Sequence, residues 1–230
     1  NTRRGAITLL DSNNADIMID GNRIERVGYD DYALGSSRGQ VAAITAGSYA
    51  ITATRNQIDE AAAFGMVFGP GSHISHNEIS NVCAAISDCG AIYIRNTARI
   101  EAVPSTIDSN IVSNPSFAES NAARYGIYLD DFINNVTVTN NTASDYFAGI
   151  LVHLGSSNTI TGNTLYGNRT HQIYLTENID QEYSGSTHSN VIEENSIFPT
   201  RSQIPVHMYG EFQNIDFATF DRNAYSDLFT

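Results

Sequence analysis

Eight asparagines sit inside or just after short β-rich runs that end in an apolar residue. They are Asn22 (IDGNRI), Asn56 (ATRNQI), Asn77 (SHNEI), Asn110 (DSNIV), Asn141 (TNNTA), Asn163 (TGNTL), Asn195 (EENSI) and Asn223 (DRNAY), spaced 21 to 34 residues apart. A motif recurring at that interval without helical periodicity marks stacked coils, none of which can bury its apolar face alone. The unequal spacing calls for a short minimal coil with insertions. Such an array determines which distant residues become neighbours, and therefore where a site is assembled.

A second element aligns with the first. Short strands, several entered through glycine, read Ala43-Ile44-Thr45, Met66-Val67-Phe68, Ile92-Tyr93-Ile94, Ile127-Tyr128-Leu129, Ile150-Leu151-Val152, Ile173-Tyr174-Leu175 and Val206-His207-Met208. A further strand (His73–Ser75, Val136–Val138, Thr159–Thr161) then leads to the asparagine. Asparagine tolerates the left-handed backbone and hydrogen-bonds locally, so it is expected at a sharp coil corner, stacked into a ladder. Abundant isoleucine, valine, threonine and tyrosine with sparse leucine agrees with strands and turns.

On these repeats the chain resembles the right-handed parallel β-helix (pectin-lyase-like) superfamily. The resemblance spans about Ile7 to Asn223 and implies an all-β single-stranded solenoid of about 7–8 coils, one domain over 1–230. The opening residues Asn1–Gly5 show no amphipathic cap, so the sequence is expected to be part of a longer chain, and Phe212–Thr230 is expected to cover the last coil. Asp30–Gln40, Asn96–Ser105, Pro115–Arg124 and Ile179–Ser189 read as loops that leave the stack and wall a groove.

A net charge of −13 with 12 Lys+Arg argues against a nucleic-acid partner and, less strongly, against a polyanionic sugar. No apolar run is long enough to span a bilayer. No leader opens the sequence, so a signal peptide is expected to have been removed or to lie outside it, consistent with a secreted or cell-surface protein. Cys83 and Cys89 read as two buried small residues in preference to a short-loop disulfide. Sequons at Asn135, Asn140 and Asn168 are expected by chance in so asparagine-rich a chain.

Side chains alternate across a strand, which gives two outward columns. The first reads Ile44, Val67, Tyr93, Tyr128, Leu151, Tyr174, His207; the second reads Ala46, Gly69, Arg95, Asp130, His153, Thr176, Tyr209. Arg95, Asp130 and His153 should therefore form a contiguous trio beside a tyrosine row. Carboxylates beside aromatic rings are what a sugar groove needs, so the catalytic candidates are Asp130, Asp131, His153 and Glu177. Tyr93, Arg95, Arg124, Tyr128, His171, Tyr174 and Asp88 are candidates for holding substrate. Asp131 and Glu177 stand two coils apart, roughly 9.6 Å by the stacking distance, at the upper edge of inverting geometry; an Asp130/Asp131 pair would be closer. Asp88 needs a corner to return it to this face.

Ser-Asp-x-Gly-Ala-Ile-Tyr (87–93) together with Gly-Ile-Tyr-Leu-Asp-Asp (126–131) is similar to a pattern in glycosyl-hydrolase-like β-helix repeat proteins. That resemblance implies acidic residues at a sugar site, although Cys89 departs from the small residue common there. The expected function is cleavage of glycosidic bonds in a polysaccharide or oligosaccharide, without a cofactor. The alternatives are a lyase or C5-epimerase on a uronate polymer, which would bring in Ca2+, and a non-catalytic glycan-binding or tailspike solenoid. Either a monomer or a homotrimer fits.

Overall fold

The computed structural model describes residues 5–9, 17–29, 41–47, 49–96, 99, 101–114, 116, 122–177, 186–200, 202–210 and 216–227. They form three parallel sheets of eight strands each, in which every strand pairs with its counterparts in the coils before and after. One sheet stacks Ile7–Thr8, Ile44–Thr45, Met66–Phe68, Cys89–Arg95, Arg124–Asp130, Ala148–His153, His171–Thr176 and Ile204–Tyr209. It is called the first sheet below. The second contains Val136–Thr139 and its equivalents, and the third contains Thr142–Ser144 and its equivalents.

The core follows from alternation repeated eight times. Ile44, Met66, Ile92, Ile127, Ile150 and Ile173 pair in sequence along the first sheet, and all are fully buried. Ile74, Ile107, Val138, Ile160 and Ile192 do the same in the second sheet, and Ile58, Ile79, Val112, Ala143, Leu165 and Ile197 in the third. Burying each isoleucine or leucine contributes about 1.5–3 kcal/mol, and like residues on successive rungs stack in one continuous core.

All eight repeat asparagines stand at the corner between second and third sheets. Their amides form one ladder from Asn22 to Asn223. Each Oδ1 from Asn56 onward accepts both the backbone N–H and the Nδ2 of the preceding rung. From Asn56 onward each Nδ2 also donates back to a carbonyl of the preceding coil, as Asn141 does to Ile107 at 2.8 Å. Two partners of opposite type fix which end of each amide is oxygen.

The ladder residue is not the left-handed one. The residue before it is: Gly21, Arg55, His76, Ser109, Asn140, Gly162, Glu194 and Arg222 have φ between 47° and 67°. The strain of about 1–2 kcal/mol at each non-glycine is offset by the bonds that the next residue makes.

Three further expectations are corrected. Cys83 and Cys89 form a disulfide, because the corner from the third sheet into the first brings their Cα atoms to 5.9 Å. Residues 218–225 do not cover the last coil; Ala218–Asp221 and Ala224–Tyr225 extend the second and third sheets as part of it. In the coil of Ile44 the register slips by one: Thr45 pairs with Val67, and Ile44 is buried in the core. Ala46 is likewise buried. Of the expected loops, Asp30–Gln40 lies outside the described residues, as do 97, 98 and 100, 115 and 117–121, and 179–185 of the other three.

Candidate functional site

The strand Arg124–Asp130 turns Ile127 and Leu129 into the core and Tyr128 and Asp130 outward. Along the first sheet Tyr93 pairs with Tyr128, Tyr128 with Leu151, Leu151 with Tyr174 and Tyr174 with His207. Arg95 pairs with Asp130, and His153 with Thr176. The expected columns therefore hold from the third coil onward.

Asp130 is held from two sides. His153 Nδ1 lies 2.6 Å from its Oδ1, and the Tyr93 hydroxyl donates to its Oδ2 at 2.8 Å. A carboxylate accepts and does not donate, so the imidazole presents its Nδ1–H to Asp130. Burial, followed by the Asp130 charge, pushes the Tyr93 phenol well above its ordinary range, so it remains a donor. Asp130 is almost fully buried, whereas His153 is half-buried and Arg95 exposed.

Asp131 follows at the corner into the second sheet. Two successive left-handed residues, Asp131 (φ 42°) and Phe132 (φ 63°), take it out of strand alternation, and Ile133 N–H closes the turn on the Asp130 carbonyl at 3.3 Å. Burial raises the Asp131 pKa, and the neighbouring Asp130 charge raises it further; His153 and Arg95 oppose the shift, and Asp88 adds to it. A carboxyl whose pKa is raised in this way, beside a second carboxyl and an imidazole, is suited to act as an acid. One ligand atom from each of Asp130, Asp131 and His153 lies within 4.8 Å of the others, so the trio also offers a divalent cation two carboxylates and an imidazole. Ca2+ would need several more oxygens.

Asp88 also reaches this face. The chain breaks there with a left-handed residue (φ 56°), and the Tyr128 hydroxyl donates to Asp88 Oδ1 at 3.2 Å. Glu177 does not join the cluster. It is 3% exposed, sits against Gly210 of the following coil, and is separated from the Asp131 rung by buried Leu154. Arg124 turns to the Cys83–Cys89 corner, donating to the carbonyls of Ile86 and Ala84 at 3.3 Å.

The aromatic row is mostly wall. Phe64, Tyr93, Tyr128 and Tyr125 pack on one another at centroid separations of 4.8–5.1 Å, and Tyr93 and Tyr128 are only 8% and 5% exposed, which leaves little ring face for a sugar. They contribute hydroxyls instead. Further along, His171 is buried between Phe147, Tyr174 and His207, and desolvation, reinforced by His207, lowers its pKa to about 4. Tyr174 and His207 are half-buried and stacked, and Tyr209 beside them is exposed.

The family model for the right handed beta helix region matches residues 84–227. The chain belongs to that family. The match covers every residue of the cluster around Asp130, and the three parallel sheets are its architecture. No curated protein and no solved structure matches the chain. Among the described residues, no helix is long and apolar enough to cross a membrane.

Proposed function

We propose that this β-helix is a carbohydrate-active enzyme that hydrolyses glycosidic bonds in a neutral or weakly charged polysaccharide. The observation that carries the reading is the pairing of two unlike aspartates on one exposed strip. Asp130 is fixed by Tyr93 and His153, and Asp131 beside it has a raised pKa. Asp131 then protonates the departing glycosidic oxygen, and Asp130 orients His153. Tyr174 and Arg95 remain candidates for contacting substrate from the same face.

The lyase or epimerase alternative needs cations to neutralise a uronate carboxylate. Asp88, Asp130 and Asp131 crowd the strip on which Arg95 pairs with Asp130, and this density of acids favours hydrolysis. The disulfide is consistent with export to an oxidising compartment, so we place the protein outside the cell or at its surface. The test is a polysaccharide panel read for reducing ends and for ultraviolet-absorbing unsaturated products, with wild-type protein and Asp131→Asn. Hydrolysis predicts reducing ends alone, lost in the variant; unsaturated product would transfer the reading to a lyase.

A further inference from the structure

We propose, resting on the hydrolase reading, that Asp88 is the second catalytic carboxylate: it activates the water while Asp131 protonates the leaving oxygen. The inference starts from how the strip distributes its acids. Asp130 has donors on both oxygens and is almost fully buried. Glu177, the partner that strand counting offers, is buried against Gly210. Among the described residues the strip's remaining acids are Asp131 and exposed Asp88.

Two phenols join these carboxylates. Tyr128 donates to Asp88 at 3.2 Å, its ring meets Tyr93 edge-on at 5.1 Å, and Tyr93 donates to Asp130 at 2.8 Å. One carboxylate is thus held at each end of a paired aromatic bridge.

The backbone under Asp88 is held with unusual thoroughness for an exposed residue. Its N–H donates to the Ala123 carbonyl at 2.6 Å, and Ser87 Oγ accepts from Ala123 N–H at 3.2 Å. Cys89 is bonded to Cys83, and Arg124 ties down the carbonyls of Ala84 and Ile86. A left-handed corner fixed on several sides places one carboxylate at the surface, which is the preorganisation that a catalytic base requires.

The reaction balances as a single displacement. The water oxygen bonds to the anomeric carbon as the glycosidic C–O bond breaks. The water proton passes to Asp88, and the Asp131 proton passes to the leaving oxygen. The product has the inverted anomeric configuration, and both carboxyls return to their starting states by exchange with solvent.

The test compares Asp88→Asn and Asp88→Ala with wild type on the polysaccharide that the panel identifies, with sodium azide added to the alanine variant. Loss of general base catalysis predicts kcat lower by about 10²–10⁴-fold with little change in KM. Azide should restore turnover to Asp88→Ala and yield a glycosyl azide of inverted configuration, a product that a structural role cannot give. Asp88→Asn keeps an acceptor for Tyr128, so its melting curve should match wild type. A kcat within threefold of wild type in Asp88→Asn, while Asp131→Asn is inactive, would overturn the role of Asp88 and leave the hydrolase reading standing. Reducing ends from no polysaccharide at all would remove both.

Discussion

Replacing Asn141 by alanine in the middle of the ladder tests the stacking physics. Asn141 Oδ1 accepts the backbone N–H of Asn110 at 2.9 Å and its Nδ2 at 3.0 Å, and both groups are buried. Its own Nδ2 donates to Asn163, Ile107 and Thr139. Alanine leaves the buried Asn110 N–H without its acceptor, while Asn110 Nδ2 keeps the Ile74 and Asp108 carbonyls. At about 1–3 kcal/mol for the orphaned donor and about 1 kcal/mol for each side-chain bond lost to Asn110, Asn163 and Ile107, the expected loss is about 4 kcal/mol. At roughly 2–4 °C per kcal/mol for a chain of this size, the melting temperature should fall by about 10 °C. Asn22→Ala is the internal control. The Asn22 side chain donates to Asn56 and Asp20 at a more exposed rung, and Asn56 Oδ1 keeps the Asn22 N–H, so the loss should be about 1 kcal/mol or less. Urea unfolding followed by far-ultraviolet circular dichroism measures both; the chain has no tryptophan to report. Equal losses at Asn141 and Asn22 would refute the cumulative ladder.

Other consequences follow from individual groups. Asp131 has a raised pKa, so its ionisation opposes folding as pH rises through the folded value; Asp131→Asn should therefore melt higher than wild type at pH 7 while losing turnover, as calorimetry and the reducing-end assay would show. His171 titrates near 4 when folded and near its ordinary value when unfolded, so stability should fall as pH drops from about 6.5 toward 4, and His171→Gln should flatten that slope in denaturant titrations. Breaking the Cys83–Cys89 bond with the double serine variant should cost about 2 kcal/mol by loop-closure entropy, measurable by the same unfolding curves, and thiol titration of denatured wild type should find no free cysteine.

Much of the architecture is legible from the chain because strand alternation and the asparagine repeat agree over many coils. Ile127-Tyr128-Leu129-Asp130 could face only one way, and aligning it with 92–95 and 150–153 brings Asp130, Arg95 and His153 together from sequence alone. The slip at Ile44 has a physical source: Ala42, Ala43 and Ala46 are small and buried, so Thr45 alone marks the outer side of this run, and register is weakly specified. Asp88 and Asp131 escaped alternation because both lie at left-handed residues, where a side chain leaves the strand's two faces. The burial of Tyr93 and Tyr128 comes from Phe64 and Tyr125, which pack from positions that periodicity does not couple to the row. Their hydroxyls, rather than their rings, meet the acids. The disulfide is not legible in the sequence because the five residues between Cys83 and Cys89 say nothing of a corner that doubles back. A left-handed residue preceding each ladder asparagine carries no compositional mark beyond Gly21 and Gly162, since the other six are arginine, histidine, serine, asparagine and glutamate.

The most direct measurement of where the chemistry occurs is a crystal structure of Asp131→Asn soaked with the oligosaccharide that wild-type protein cleaves. The account predicts a glycan on the outer face of the first sheet, its scissile oxygen within hydrogen-bond reach of residue 131 and its anomeric carbon open to water on the Asp88 side. A glycan bound on the second or third sheet, or on the first sheet with its scissile bond away from residues 130, 131 and 153, would contradict it.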